Sequence, residues 1–395
     1  MKATTMNVFR SWRRNSPQSP SGFSLTELLV ASGIGLAVMA AVASLFGVFS
    51  RALSQSQSTV DMAAQMRASA WKLRQDLEGV TCPIEPWLAP EANAGYFEIS
   101  EGPRRDATAG AGNPSLEADT DDILMFTTRA AAGNFSGRYA SADRVIESPC
   151  AEVAWFCREA ANQPVAGTKV YNLYRRQLLV LGYVGLPEFS GNSISGTLPL
   201  VNYDLSLRAE AGRLHPNTLG DLTKRENRFA HNLAFPHAIL TDAAGRMLPT
   251  ATFDNTDRAW EDVILTNVIS FDVRVFDPQA RAQVTGGGTL LPGDPGYTPG
   301  SGAAGAFLDL GSGHGGRLSQ QVDPKSRMPR PTYDTWSQHY EFTPAGRSGL
   351  NDPADYGTAP PYPVPLESVE VRIRCYDPSS KQIRQITVRS TFRSP

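Results

Sequence analysis

The longest apolar stretch of the chain lies near its amino terminus. Residues 23–50 are nearly all apolar or small, and Glu27 is the only charged residue among them. The charge-free part from Leu28 to Ser50 has 23 residues, and as an α-helix it would be about 34 Å long. That length spans a bilayer and exceeds the apolar core of an ordinary secretory signal. Residues 23–50 are therefore predicted to form a transmembrane helix.

The apolar pattern changes to a helical stripe over residues 51–79. Apolar residues recur at a 3-4-3-4 spacing and charged residues occupy the rest of the helical wheel. The stripe is Ala63, Met66, Ala70, Leu73 and Leu77, and the charged positions are Asp61, Arg67, Lys72, Arg74 and Asp76. Gly79 and Pro83 then form a stop signal. We predict one helix from about Phe23 to Glu78 whose second half packs under a globular head; a coiled-coil dimer is the alternative.

Residues 80–395 have the pattern of β-strands separated by loops rich in proline and glycine. The clearest alternation occurs in two strands, each of which closes on an aromatic-Asp-Pro triplet that favours a turn. Their apolar positions are Ile269, Phe271, Val273 and Val275, and then Val369, Val371, Ile373 and Cys375. A last antiparallel strand is expected through Ile386, Val388 and Phe392. The predicted fold class is α+β, with the amino-terminal helix packed against an antiparallel sheet.

Long loops are predicted at about 101–119, 207–260 and 279–365, with a low-complexity segment near 284–305. Gly311, Gly313 and Gly316 match the G-x-G-x-x-G pattern of nucleotide-binding turns. That pattern needs a surrounding βαβ unit, and the Pro-rich strands that follow favour antiparallel pairing instead. A glycine loop is therefore the interpretation for these residues.

Charge and motifs argue against nucleic-acid binding and catalysis. The net charge is −2, from 37 basic and 39 acidic residues, which leaves no general cationic surplus for phosphates. None of the five histidines lies in a zinc motif and no nucleophile motif is present, so neither an enzyme nor a cofactor is predicted. One acidic cluster is interpreted as a solvated loop, with a calcium site as the alternative. It consists of Asp254, Asp257, Glu261 and Asp262.

Residues 1–22 are basic and contain no acidic residue. The positive charges are Lys2, Arg10, Arg13 and Arg14. Positive charge before a spanning segment favours a cytoplasmic amino terminus and places the chain after Arg51 outside the cytoplasm.

The predicted topology permits disulfide bonds in the head. Cys150 and Cys157 cannot bridge each other if the residues between them are extended, because they would lie roughly 23 Å apart. We therefore predict that one of them pairs with Cys82. Cys375 lies on the apolar face of its strand and is predicted to be a core residue.

The residues around Glu27 carry a specific resemblance. After the basic leader comes the string Gly-Phe-Ser-Leu-Thr-Glu-Leu-Leu-Val at residues 22–30, which resembles the processing signal of type IV pilins and type II secretion pseudopilins. The resemblance implies that a prepilin peptidase removes residues 1–22 by cutting after Gly22 and methylates Phe23. It also implies that Glu27 pairs with the new amino group of a neighbouring subunit, an interaction strengthened in a low-dielectric filament core.

The head carries a less specific resemblance, to J-type pseudopilins and W-type minor pilins. It rests on residues 121–129, 151–156 and 173–176. A minor pilin or pseudopilin without catalytic activity is thus expected, located in the inner membrane with a periplasmic head. Its expected partners are the prepilin peptidase, other pilins, the inner-membrane assembly platform and membrane lipid. The alternative is a membrane-anchored ectodomain, enzymatic or ligand-binding, that uses the segment only as an anchor.

Overall fold

The fold is α+β, with one long amino-terminal helix and a strongly curled antiparallel sheet. The computed structural model describes residues 22–102 except 87, 119–139, 144–163, 169–181, 203–231 except 211 and 212, 258–320 except 259, 287, 293, 295, 299–301 and 314, 331–335, and 362–392 except 363. The chain divides into two compact units, Met1–Gln57 and Ser58–Pro395.

The helix, α1, covers Leu25–Glu78 and is 54 residues long, close to the predicted bounds. Its first part is apolar without being buried: the most apolar window has a mean hydropathy of 2.3, and none of it is buried. By length and composition α1 is long and apolar enough to cross a membrane. The exposed apolar side chains include Leu28, Leu29, Ile34, Leu36, Met39, Leu45, Phe46 and Phe49.

Within the second unit, α1 buries one face against the sheet. The predicted stripe is confirmed at Met66, Ala70, Leu73 and Leu77, which join the main hydrophobic core of the head. These residues pack against strands of their own chain, so the sheet covers the stripe as predicted. Ala63 is only half-buried.

Asp76 corrects the predicted helical wheel, because it is buried on the same face. Arg175 binds both of its carboxylate oxygens, with Nε–Oδ2 at 2.6 Å and Nη2–Oδ1 at 2.9 Å. The indole Nε1 of Trp155 donates to Oδ2 at 3.0 Å. A buried carboxylate with this set of charge-assisted partners ties the helix to the sheet at a defined position.

Helix α1 ends where it was predicted to end, at Gly79. The φ of Gly79 is not positive, so a left-handed cap is not the reason for glycine here. A side chain at this position would collide with the backbone oxygen of Arg129, whose N–H donates to Gly79 O at 2.7 Å. Glycine is required because the next strand approaches the helix end closely.

The head contains fourteen strands among the described residues. They are β1 (Phe97–Ser100), β2 (Ile123–Arg129), β3 (Phe135–Tyr139), β4 (Arg144–Ser148), β5 (Cys150–Glu159), β6 (Tyr171–Leu179), β7 (Leu207–Glu210), β8 (Arg213–Pro216), β9 (Val263–Thr285), β10 (Gly288–Leu290), β11 (Ala303–Leu308), β12 (Thr332–Asp334), β13 (Ser368–Asp377) and β14 (Gln382–Thr391). The main sheet has the order β12-β1-β2-β5-β6-β9-β13-β14, with β10 and β11 also paired to β9. All pairs between these strands are antiparallel.

The sheet curls enough to bring distant positions in this order together. The rings of Phe97 in β1 and Phe392, directly after β14, have centroids 5.3 Å apart. Phe97 and Phe126 also stack, at 5.7 Å. The concave side therefore encloses a single large core, which includes the buried face of α1.

The two aromatic-Asp-Pro triplets behave differently from each other. Asp377 forms the predicted turn: its Oδ1 accepts from Ser379 N at 2.9 Å, and β13 turns back into β14. Asp277 makes the equivalent bond to Gln279 N at 2.8 Å, but β9 continues to Thr285. The predicted end of this strand was wrong because β11 pairs on both sides of an irregularity opposite the Asp277 turn.

Several strands lie inside segments that were predicted as loops. The hairpin of β7 and β8 falls within 207–260, and β10, β11 and β12 fall within 279–365. These strands are short, between three and six residues, and their sequences lack a clear alternation. The glycine run follows β11, which pairs antiparallel with β9, and it is followed by a 3₁₀ turn at Arg317–Ser319. This agrees with the interpretation of these residues as a glycine loop.

Candidate functional site

The amino-terminal segment places Gly22 and Phe23 just before α1. Both residues precede the first helical residue, Leu25. A side chain at Gly22 would have no neighbour within 4 Å, and Phe23 is 86% exposed. The peptide bond between them therefore lies outside the helix, and no described residue packs over it.

Glu27 and Ser24 form a reciprocal cap at the start of α1. Glu27 Oε2 accepts from Ser24 N at 2.9 Å and from Ser24 Oγ at 3.0 Å, while Glu27 N donates to Ser24 Oγ at 3.2 Å. This is the capping box expected for Ser-x-x-Glu, in which each residue satisfies a donor that the first helical turn leaves open. The sequence Ser-Leu-Thr-Glu at residues 24–27 contains this capping signal in addition to the resemblance described above.

The cap gives Glu27 a structural role within its own chain. It also holds the carboxylate beside the backbone of Ser24, one residue from Phe23. If the chain is cut after Gly22, the new positive amino group forms next to this carboxylate. Capping and pairing with an amine both use the same side chain, but only the pairing requires its charge.

The cysteines are not joined in this structure, since all four are free thiols. The predicted bond between Cys82 and either Cys150 or Cys157 is therefore not formed here. Cys82 and Cys150 belong to different hydrophobic clusters. Burial raises the pKa of the Cys82 thiol to about 12, and Cys375 is fully buried, as predicted for a core residue.

The predicted acidic loop is only partly described. Asp254 and Asp257 lie outside the described residues. Glu261 is bound by Arg138 at 3.0 Å and by Arg258 at 2.7 Å, and Asp262 is bound by Arg176 at 3.3 Å. Arginines neutralise both described carboxylates, which does not favour the alternative of a calcium site at this position.

A different acidic cluster, which was not predicted, lies buried in the head. Glu101 follows β1, and Asp119 and Asp122 precede β2. Each is about 1% exposed, and each contributes an oxygen to a group whose members lie within 4.8 Å of one another. We call these three residues the acidic triad. The string Asp-Thr-Asp-Asp at residues 119–122 was the available signal, but it lies where the predicted loop at about 101–119 meets the segment 121–129, and its acidic residues were not considered together.

The acidic triad is held in place by the long strand β9. The contacts lie in the part of β9 between the residues that pair with β6 and those that pair with β11. There, Phe271 N donates to the backbone oxygen of Asp119 at 2.7 Å, and Val273 N donates to Asp122 Oδ2 at 2.8 Å. Asp122 Oδ1 accepts from Gly102 N at 3.0 Å. Leu310 N, after β11, donates to Glu101 Oε2 at 3.2 Å. Four segments of the head thus converge on the triad.

Further carboxylates raise the negative charge around the triad. Asp272 and Asp309 lie close enough to affect Glu101 electrostatically, but both contact Arg274, at 2.9 and 3.3 Å from its Nε. No ion pair joins a triad member to a described lysine or arginine. Burial first, and then the neighbouring carboxylates, raise the pKa of Asp119 to about 12 and the pKa of Glu101 well above its usual range.

Another buried carboxylate of the head, that of Glu98, is neutralised by cationic side chains. Glu98, three residues before Glu101 on β1, accepts from Arg225 Nη2 at 2.6 Å and from Arg228 Nη1 at 2.8 Å. His231 Nε2 lies 3.0 Å from the same carboxylate, and Arg228 also binds Asp334 at 2.8 Å. We call these five residues the arginine network. All five are buried.

Comparison with known proteins gives no relatives for this chain. No family model, no curated protein and no solved structure matches it.

Proposed function

We propose that this chain is a minor pilin or pseudopilin, a non-catalytic subunit of a filament related to type IV pili or type II secretion. The observation that carries the proposal is the segment 22–30, in which an accessible Gly22–Phe23 bond precedes a capped, exposed apolar helix. A helix of this kind fits a subunit that is stored in the membrane and later packs against other helices. The alternative of a simple anchor does not require Gly22 or Glu27.

The proposed cycle starts with membrane insertion, with residues 1–22 in the cytoplasm. The prepilin peptidase cuts after Gly22 and methylates Phe23. Other pilins and the assembly platform then take the chain into a filament, in which Glu27 pairs with a neighbouring amino group. A role at the tip or in initiation suits a head of this size, because bulky loops obstruct dense helical packing.

Variants at Glu27 separate charge pairing from helix capping. Glu27→Gln keeps an N3 side chain that completes a capping box, but it removes the charge. Glu27→Ala removes both. Ser24→Ala removes the capping hydroxyl and keeps the charge, so it serves as the matched control.

The measurement is incorporation of each variant into the sheared filament fraction, normalised to its amount in the membrane. We expect Glu27→Gln and Glu27→Ala both to fall at least about tenfold, the effect of losing roughly 1.4 kcal/mol or more, and Ser24→Ala to remain near wild type. If Glu27→Gln assembles as well as wild type, the carboxylate acts only as a cap and the assembly role is wrong.

A further inference from the structure

The acidic triad places three carboxylates in a buried site without a cationic partner among the described residues. A cluster of acidic residues alone does not identify a ligand, because exposed clusters are common. This one is fully enclosed: Glu101, Asp119 and Asp122 are each about 1% exposed. Burying even one ionised carboxylate without compensation is costly, and this site gathers three.

The hydrogen bonds of the triad are also incomplete. Glu101 Oε1 and Asp119 Oδ2 are buried oxygens that have no hydrogen-bond partner within the described part of the chain. Buried polar atoms are normally satisfied, and an unsatisfied one calls for a specific explanation such as an ion. The other oxygens of these two residues accept backbone N–H groups of Leu310 and Asp121, so the side chains are held in fixed positions.

The triad is small enough to surround one divalent cation, and its chemistry favours calcium. Calcium binds oxygen at about 2.3–2.6 Å, so two of its ligands can be up to about 5.2 Å apart, and the triad oxygens lie within 4.8 Å of one another. Magnesium, at about 2.0–2.1 Å, needs a tighter and more regular arrangement and retains its waters. We propose that Glu101, Asp119 and Asp122 form a calcium site that joins the end of β1 and the start of β2 to β9.

The head already supplies a positive charge beside this site, but that charge is used elsewhere. Arg274 contacts Asp272, Asp309 and Asp294. The guanidinium therefore neutralises the surrounding carboxylates and does not pair with the triad, so the triad needs another cation. Calcium takes six to eight oxygen ligands, so the three carboxylates act with water or backbone oxygens to complete the shell.

Thermal unfolding of the full-length chain in detergent micelles tests this site. The protein is stripped with EDTA, dialysed, and unfolded with no divalent ion, with calcium, or with magnesium at equal ionic strength. Calcium at roughly 100 times its Kd is expected to raise the Tm by about 5 °C, and magnesium to raise it much less. Titration calorimetry is expected to give one high-affinity calcium ion per chain.

Neutral variants assign the ion to the triad. Asp119→Asn and Glu101→Gln keep the shape of the side chains and remove one charge each, and both are expected to lose most of the calcium-dependent shift in Tm. Glu91→Gln, at an exposed glutamate outside the triad, is the matched control and is expected to keep the full shift. The two triad variants provide independent tests if one of them does not fold.

Two results would overturn the assignment. One is a wild-type Tm that changes by less than about 1 °C with calcium, or by the same amount with magnesium. The other is an Asp119→Asn or Glu101→Gln chain that folds and retains the whole calcium shift. Neither readout depends on cleavage or filament assembly, so failure here leaves the proposed function untouched.

Discussion

Two buried glutamates of β1 and its end, three residues apart, have opposite surroundings. Glu98 is bound by two arginines and a histidine, whereas no cationic side chain among the described residues pairs with Glu101. Both are about 1% exposed or less, so burial is not the difference. The difference is compensation: the arginine network is complete within the protein, while the acidic triad requires an ion from outside.

A third glutamate, Glu27, is exposed and therefore does not need a cationic partner to offset burial. Glu27 lies on an exposed helix among apolar residues and is satisfied locally by Ser24. This arrangement needs no counter-charge within its own chain. The three glutamates therefore have different roles: Glu98 stabilises the head, Glu101 binds an ion in the proposed calcium site, and Glu27 acts in the proposed assembly.

The largest effect is expected from breaking the arginine network. Arg228→Ala would leave Glu98 and Asp334 buried with one arginine fewer and would remove the guanidinium that stacks 3.9 Å from the centroid of the Tyr96 ring. Breaking a buried pair of this kind costs about 3–5 kcal/mol, so the Tm measured in micelles should fall by about 10 °C. Arg67→Ala, at an exposed arginine of α1, is the control. A loss no larger than that of the control would show that the network does not stabilise the head.

The comparison is tested most sharply by the same substitution at both glutamates. Glu98→Gln removes a compensated charge and should lower the free energy of unfolding by about 3 kcal/mol. Glu101→Gln, measured in EDTA, removes a carboxyl that takes up a proton on folding because burial and the neighbouring carboxylates raise its pKa, and it should raise the free energy of unfolding by about 1 kcal/mol. Denaturant unfolding of both chains gives the two signs. Equal signs would mean that the two sites do not differ in compensation.

Acid should weaken the arginine network specifically. Burial alone would raise the pKa of Glu98, but Arg225, His231 and Arg228 outweigh it and hold the pKa well below its usual range. Because the pKa of Glu98 is lower in the folded chain than in the unfolded chain, its ion pairs stabilise the fold fully above the unfolded pKa of about 4.3. This stabilisation is lost as the pH falls through the folded pKa. The difference in Tm between wild type and Glu98→Gln should therefore be constant from about pH 7 to 5 and shrink below about pH 4. A difference that widens toward acid would contradict this assignment.

The smallest effect is expected at the helix start. Ser24→Ala removes the side-chain oxygen that accepts from Glu27 N and should cost about 1 kcal/mol of local helix stability. Amide hydrogen exchange over the first turn of α1 should become faster, while exchange in the head stays the same. Unchanged exchange in the first turn would show that the Ser24–Glu27 cap does not stabilise the helix.

Local patterns in the sequence predicted most of the fold. The long helix, its apolar stripe, the stop at Gly79 and the alternating strands β9 and β13 all follow from spacing and turn residues. The course of β9 beyond Pro278 did not, since it depends on pairing with β11, a strand in a segment that was predicted to be a loop. The short strands β7, β10, β11 and β12 were not predicted because their residues show little alternation of their own.

The sites differ in the same way. Gly22, Phe23 and Glu27 lie within six residues, so a contiguous string was enough to single them out. The acidic triad joins Glu101 to Asp119 and Asp122 across a long connection and depends on contacts with β9, which no local pattern records. Asp76 was misplaced because its partners Trp155 and Arg175 lie far along the chain.

The mass of the amino-terminal peptide tests the proposed function most directly. The chain is expressed with an active prepilin peptidase or with an inactive one, and Gly22→Leu is compared with Gly33→Leu, a second glycine with no neighbour within 4 Å. With active peptidase, wild type and Gly33→Leu should begin at Phe23 and carry one added methyl group, while Gly22→Leu keeps residues 1–22. A wild-type chain that retains its leader beside an active peptidase would contradict the proposal.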